Sequence, residues 1–402
     1  MSDTAAEVAG QDRGAAHPGP RVLVVIPGIG TGGGAERALL EGAPGLLARG
    51  VDLAVVDFVD RPHSGAAALR GLGVPVTRVE GGGTLGRARA LRRVVRARAP
   101  DLVHTVLFEA DLAGRLACAG TGVPVLTSLV HTNYEPGRRQ DPTYSRWRVG
   151  LVRLVDAVSA RLLARHAVAN SEAARSSAVA RLRYPRRRTS VVLRGRAAPA
   201  PVPPEVVRAV RDELGVGTGA PLVVTVGRHE FQKDHLTLLA AVRRLRERHP
   251  DVVVAVAGRE GTMTDRLRRE RDDGLRGTVR LLGHRDDVPA LLAAADVFAF
   301  TSVLEGLPNA VVEAMAAGTP VVATDIPATR EVVADAARLV PAGDPEALAA
   351  ALEGVLGDPQ EAARLAAAGR ERHRLGLSQE RSDDALAALY RALAHDPPHP
   401  RR

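Results

Sequence analysis

Along most of this chain, short unbroken apolar runs rich in Val, Ile, Leu and Ala alternate with longer stretches whose apolar positions recur every three or four residues. Short apolar runs bounded by turn residues read as strands buried on both faces, and the longer stretches read as the helices that cover them. The alternation predicts parallel sheets of the doubly wound α/β class. In the first half, strands are predicted at 22–26, 53–56, 76–79, 102–105, 125–129, 167–169 and 190–193. Residues 197–204 then place four prolines (Pro199, Pro201, Pro203, Pro204) in eight positions, which neither a helix interior nor a central strand accommodates. Beyond this break, strands are predicted at 222–226, 252–257, 279–281, 297–300, 321–323 and 338–340. The expected division is a disordered tail over 1–20, a Rossmann-like domain over 21–197, and an extended linker over 198–204. A second Rossmann-like domain over 205–375 and a helical segment over 376–396 complete it, with the last helix running from about Gln379 to Ala394.

The 402 residues, 45% hydrophobic and 25% charged, fit an ordinary globular chain of two or three domains. Cys118 is the single cysteine, which excludes an internal disulfide framework and any Cys-x-x-Cys metal site, and suits a reducing cytoplasm. The run 288–304 is interrupted by Pro289 and Asp296 and is shorter than the roughly 20 residues of a spanning helix. The net charge of +9 invites a nucleic-acid reading, but 54 of the 55 basic residues are Arg, a coding-bias signature. With aromatics at 2% there is also no stacking platform, so nucleic acid is not expected as a partner. The excess is local: 85–98 holds six Arg and no acid, and 138–196 holds fifteen Arg against Asp141, Asp156 and Glu172. In the first of these segments Leu85, Ala88, Leu91, Val94 and Val95 lie near one helical stripe, and the second begins with Tyr144 and Trp147. Weak docking of the first domain to an anionic membrane is therefore an expectation, against the alternative that the stripe covers the sheet.

In doubly wound sheets ligands bind beyond the carboxyl ends of the strands, so the residues just after each strand carry the chemistry. After the first strand, Gly28, Gly30, Gly33 and Gly34 let a backbone approach something closely, with helix amides able to meet an anion. The Gly28-x-Gly30-x-x-Gly33 spacing, with Asp57 ending the second strand, also fits a dinucleotide-dependent oxidoreductase. In the second half, Gly227 and Arg228 end a strand and Lys233 precedes a helix, two cations able to converge on a diphosphate. Lys233 is the one lysine that an Arg-biased chain keeps, which suits a place needing a compact ammonium. The stretch 301–320 carries Glu305, Gly306, Leu307, Pro308, Asn309 and Glu313, with Asn309 placed to cap a helix and Gly318 to end it. Eight helical residues span about 12 Å, too far for Glu305 and Glu313 to flank one glycosidic bond as a retaining hydrolase requires. Each carboxylate is better read as accepting hydroxyls from a different part of a long ligand. Gly258 ends another strand, and His131 opens a long loop after a first-domain strand. No Asp-x-Asp and no His-Glu-x-x-His occurs, so no metal is expected.

Taken together, the turn 33–36, Ala169-Asn170-Ser171, Gly227-Arg228 with Gln232-Lys233-Asp234, and the Glu305 to Glu313 block resemble the glycosyltransferases of family 4. The resemblance runs over nearly the whole chain and implies the GT-B fold, two Rossmann-like domains facing each other across a cleft with a closing helix that crosses back. It implies a retaining, metal-independent transferase that uses a nucleotide-diphosphate sugar as co-substrate and needs no cofactor. The acceptor would be a sugar, lipid-linked or small-molecule hydroxyl. By that similarity Arg228 and Lys233 neutralise the diphosphate, Glu313 holds the ribose, Glu305 and the following amides contact the donor sugar, and His131 sits near the transferred sugar. A non-catalytic sugar-nucleotide-binding relative remains an alternative. Where relatives carry Asn-Gly-x-Asp at the end of the first domain, this chain has Arg194-Gly195-Arg196-Ala197, a departure expected to alter the hinge and leave the donor motifs untouched.

Overall fold

The computed structural model describes residues 19–30, 33–61, 64–130, 132, 134–137 and 145–395. The expected tail up to residue 18 lies outside them. The first half forms strands β1 (Arg21–Val25), β2 (Asp52–Asp57), β3 (Val76–Arg78), β4 (Leu102–Thr105), β5 (Val125–Leu129), β6 (His166–Ala169) and β7 (Thr189–Val191). Its helices are α1 (Gly34–Ala48), α2 (Ala66–Gly71), α3 (Gly83–Arg98), α4 (Phe108–Cys118), α5 (Arg146–Leu163) and α6 (Glu172–Leu182). After α7 (Pro204–Glu213), the second half forms β8 (Leu222–Val226), β9 (Val253–Ala257), β10 (Val279–Gly283), β11 (Val297–Phe300), β12 (Val321–Thr324) and β13 (Arg338–Val340). Around these lie α8 (His235–Arg248), α9 (Thr264–Asp272), α10 (Val288–Ala294), α11 (Asn309–Ala317), α12 (Pro327–Val333), α13 (Pro345–Gly357), α14 (Pro359–Arg372) and α15 (Gln379–His395).

The sheet orders are β3-β2-β1-β4-β5-β6-β7 and β10-β9-β8-β11-β12-β13, with parallel pairings. Both orders reverse beside their first strand, at β1/β4 and at β8/β11, which opens a crevice at each carboxyl edge. Successive residues of one strand feed opposite layers: Val22 and Val24 pack with Leu46 and Leu102, while Leu23 and Val25 pack with Leu91 and Ala113. These are the two Rossmann-like domains expected from the hydrophobic pattern.

Two crossings join the halves. The Arg196 amide donates to the Leu377 carbonyl (2.9 Å), and the Gln379 amide donates to that of Arg196 (3.0 Å). Gly195 is required there, because a Cβ would come 1.9 Å from the Ser378 carbonyl oxygen. After the second crossing, α15 returns to the first domain and adds Ala387, Tyr390 and Leu393 to its core. Tyr390 Oη lies 2.6 Å from His104 Nδ1, and Ser128 Oγ 2.8 Å from His104 Nε2. Burial lowers the His104 pKa to about 3, so the imidazole is neutral and joins the two hydroxyls.

Two expectations change here. The prolines of the break do not all lie in extended chain, since α7 begins at Pro204, where a fixed φ and a missing N–H suit a first helical turn. The stripe of α3 is not offered to a membrane, because Ala88, Leu91 and Val95 are buried against the sheet and only Leu85 stays largely exposed. Among the described residues no helix is long and apolar enough to cross a membrane.

Candidate active site

A cavity of about 330 Å³ lies where the two carboxyl edges meet. The first domain lines it with Gly33, Gly34, Arg37, Asn170, Arg194 and Arg196, and the second with Gly227, Arg228, Lys233, Glu305, Asn309 and Glu313. Gly258, Gly306 and Leu307 line it as well. Pro308 stands behind them as the N-cap of α11 and makes no side-chain cap bond. Asn309, expected as that cap, is instead the first helical residue. Its Oδ1 is buried with no hydrogen-bond partner among the described residues, as is Asn170 Oδ1, so the cavity wall holds acceptors without donors. His131 lies outside the described residues, as do Tyr144 and most of the loop between them.

The glycines sit where backbones touch. A Cβ on Gly258 would fall 1.9 Å from the Gly227 carbonyl oxygen, and the Gly227 amide donates to the Ala257 carbonyl at 2.8 Å. The turns after β8 and β9 are thus stacked edge to edge, and Gly258 owes its identity to that contact. On the opposite wall, a Cβ on Gly34 would stand 3.2 Å from Asn309 Nδ2, so the two domains nearly meet there.

Lys233 ends a short 3-10 turn (Phe231–Lys233), and Asp234 caps α8 by accepting from the Thr237 amide. Thr301 Oγ1 donates to the Lys233 carbonyl (2.8 Å), and the Val303 amide to that of Gln232 (2.9 Å). These bonds lash the loop after β8 to the loop after β11 and bring Lys233 Nζ to 2.5 Å from Glu305 Oε1. Lys233 is therefore paired within the protein. Arg228 is the freer cation, more than half exposed and 3.7 Å from Glu230.

Glu313 projects from α11 and receives two arginines across the cleft. Arg37 Nη1 of α1 lies 3.1 Å from its Oε1, and Arg196 Nε of the crossing lies 3.4 Å away, too poorly aligned for a hydrogen bond. Arg196, only 3% exposed, also pairs through Nη1 with Glu41, which accepts from Arg37 Nε at 2.8 Å. Burial raises the Glu313 pKa, and Arg37 and Arg196 pull it back. Arg194 donates to the Gly34 carbonyl (3.1 Å), and burial together with Arg196 lowers its pKa to about 10. The departure at 194–197 thus reaches the donor motifs, contrary to expectation. The signal was legible as two extra cations at the end of the last first-domain strand; the pairing of Arg196 with Glu313, more than a hundred residues away, was not.

The dinucleotide alternative fails on geometry. Asp57, which would hold the ribose, is fully buried and engaged by Arg78 Nε (3.0 Å) and Nη2 (2.8 Å). Gly28 packs against Arg61 and the Val59 carbonyl, away from the cavity. Among the described residues no cluster of three or more His, Cys, Asp or Glu could hold a metal ion.

Two family descriptions match the chain: Glycosyltransferase Family 4 over residues 32–198 and Glycosyl transferases group 1 over residues 207–372. The lipopolysaccharide core biosynthesis glycosyltransferase LpsE of Rhizobium meliloti is 36% identical over 187 residues, 46% of this chain and 54% of that protein. The phosphatidyl-myo-inositol mannosyltransferase of Mycolicibacterium smegmatis is 43% identical over 163 residues, 39% of this chain and 42% of that one. The chain spans about half the length of the curated relatives it matches. Among solved structures, Anabaena HepE in complex with UDP and glucose superposes with a TM-score of 0.79 at 21% identity, covering 92% of this chain and 99% of that one. WaaG, a glycosyltransferase involved in lipopolysaccharide biosynthesis, gives 0.72 at 16% identity over 92% of this chain and 99% of its own. The fold is GT-B, and the chain belongs to the group 1, family 4 glycosyltransferases.

Proposed function

We propose that this chain transfers a sugar from a nucleotide-diphosphate donor to an acceptor hydroxyl, with retention of anomeric configuration and without a metal ion or cofactor. One observation carries the reading: Arg228, Lys233, Glu305, Glu313 and the Gly33-Gly34 turn converge on one cavity between two parallel-sheet edges. In that cavity the glycosyl carbon–phosphate oxygen bond breaks, and the new bond forms from the acceptor oxygen on the same face. Negative charge grows on the departing diphosphate, where the Lys233 ammonium, the Arg228 guanidinium and the Ala310 amide in the first turn of α11 line the cavity. The acceptor proton passes to the leaving phosphate oxygen, so no protein nucleophile is needed. Glu313 accepts ribose hydroxyls. Glu305, oriented by Lys233, receives donor-sugar hydroxyls beside the Gly306 and Leu307 amides, and His131 is assigned to the transferred sugar.

A thermal-shift panel of UDP-, GDP- and ADP-sugars with excess EDTA tests this. A ligand at 100 times its dissociation constant adds about 2.7 kcal/mol of stability. We expect one nucleotide class to stabilise the protein and to support transfer in EDTA. Stabilisation by NAD alone, or activity that EDTA abolishes and manganese restores, would overturn the reading.

A further inference from the structure

Helix α5 is built inside out. The side chains it buries are Asp156, Ser159 and Ala160, held by Arg115 Nη1, which donates to Asp156 Oδ1 (2.8 Å) and to Ser159 Oγ (3.0 Å). Large apolar side chains face solvent instead: Trp147 (69% exposed), Leu151 (55%), Leu154 (60%), Val158 (48%) and Leu162 (72%). At about 100° per residue these five fall within an arc of about 80°, directly opposite Asp156, and run along about 22 Å of helix. Arg146, Arg153 and Arg161 flank the stripe on one side and Arg148 on the other, while the one acid of the helix is Asp156, which is buried. Arg188 donates to the Arg161 carbonyl at the helix end.

We propose that α5 lies in the plane of an anionic lipid surface and docks the first domain to it. A stripe of large apolar side chains in solvent, rimmed by arginines and free of exposed acid, has the chemistry of an interfacial helix: leucines enter the acyl boundary and guanidinium groups meet phosphates. A second copy of the chain fits worse, because a two-fold pairing of these stripes brings the arginine rims together. The helix begins on the side of the sheet where β5 ends, the carboxyl edge that carries the cavity. Resting on the transferase reading, docking by α5 sets the cavity beside the surface and favours an acceptor hydroxyl on a lipid-linked molecule.

Trp147 is the only tryptophan in the chain, so the test has an internal reporter. Full-length protein is sedimented at low salt with vesicles of phosphatidylcholine alone or with 30% phosphatidylglycerol, and its emission is recorded. We expect at least tenfold tighter binding to the anionic vesicles, a blue shift of Trp147, and loss of both at high salt. L151S/L154S should weaken binding tenfold or more, and R148Q and R153Q about fivefold each. All three variants should melt like wild type and keep the UDP-sugar thermal shift, a readout that reports the transferase reading separately. No binding, equal binding to neutral vesicles, or an unshifted Trp147 on bound protein would overturn the proposal. A concentration-dependent dimer that L151S/L154S abolishes would overturn it in favour of a second copy.

Discussion

Two arginine–carboxylate clusters, one on each side of the first sheet's carboxyl edge, use the same chemistry to opposite ends. Behind β4 and β5, Arg115 is 1% exposed and donates to Asp156, Ser159 and Thr127, while Tyr134 Oη donates to the other oxygen of Asp156 (3.0 Å). In the cleft, Glu313 is shared by Arg37 and Arg196 with imperfect geometry, and Lys233–Glu305 lies beside open cavity. The sealed cluster leaves a ligand nowhere to enter. The open one has carboxylate and cation surfaces that solvent or substrate can reach, so a ligand can exchange with its internal partners. A buried ion pair contributes little net stability, yet its half-removal is costly, whereas an open pair can be rearranged at small cost.

The largest effect should come from breaking the sealed cluster. Arg115→Leu leaves Asp111 and Asp156 without their cation and should destabilise the fold by about 3–5 kcal/mol, read by urea unfolding. Nucleotide affinity per folded molecule should hold. Acid–base behaviour sharpens the point. One arginine cannot neutralise two buried carboxylates, and burial raises the Asp111 pKa from 3.8 to about 7 against the pull of Arg115. Between those values the folded protein keeps a proton that the unfolded chain has released, so raising the pH across that window favours unfolding. This contribution is present in full below about pH 4 and is lost as the pH approaches 7, with a slope of at most about 1.4 kcal/mol per pH unit. His104 and His235, whose pKa values burial lowers to about 3 and about 4, act in the opposite sense below pH 6.5. The difference between wild type and Asp111→Asn therefore isolates the effect, and a variant whose stability falls as steeply with pH as wild type would contradict it.

In the open cluster the effect moves from stability to rate. Lys233→Ala should slow transfer about a hundredfold, roughly 3 kcal/mol of lost charge stabilisation, with the melting temperature nearly unchanged. Arg228→Ala should do the same with less disturbance of Glu305, because among the described residues Arg228 pairs with Glu230, 3.7 Å away, and not with Glu305. Turnover near wild type in Lys233→Ala would separate this lysine from the diphosphate.

This contrast marks what was legible in the sequence. Strand positions followed from near-continuous apolar runs such as 222–226, since a strand covered on both faces must be apolar throughout. The cleft residues followed from motifs placed just after those strands. Helix orientation did not follow: α3 and α5 are both Arg-rich and both periodic, yet α3 turns Leu91 and Val95 inward while α5 turns Asp156 inward. Periodicity finds a stripe but cannot say which stripe faces the sheet when a buried arginine on α4 selects the polar one. The partnership of Arg196 with Glu313 was hidden for a related reason, because it depends on how the two domains close and not on local sequence.

Arg196→Gln should act mainly on donor binding. Losing this cation leaves Glu313, among the described residues, with Arg37 alone, so the KM for the donor should rise about tenfold while kcat changes less, as expected when binding common to ground and transition states is lost. Arg196 is also anchored through its backbone to Leu377 and Gln379, which the substitution leaves in place, so the crossing should remain intact. A fall in kcat with unchanged KM would instead tie Arg196 to the chemical step.

The smallest effect belongs to Arg37. Its side chain is 44% exposed, so its 3.1 Å contact with Glu313 and its pairing with Glu41 are screened by solvent and should contribute about 0.5 kcal/mol or less. Arg37→Ala should therefore leave unfolding nearly unchanged and shift donor KM about twofold. The direction of that shift is the informative part. If Arg37 competes with the ribose for Glu313, its removal frees the carboxylate and lowers KM; if it orients Glu313 for the ribose, KM rises. The cleft as it stands has Arg37 on the same Oε1 that Arg196 approaches, which leaves Oε2 for a hydroxyl and favours orientation. A twofold rise that shrinks as salt is added is the expected result, because the exposed arm of the pair is the one that ions screen.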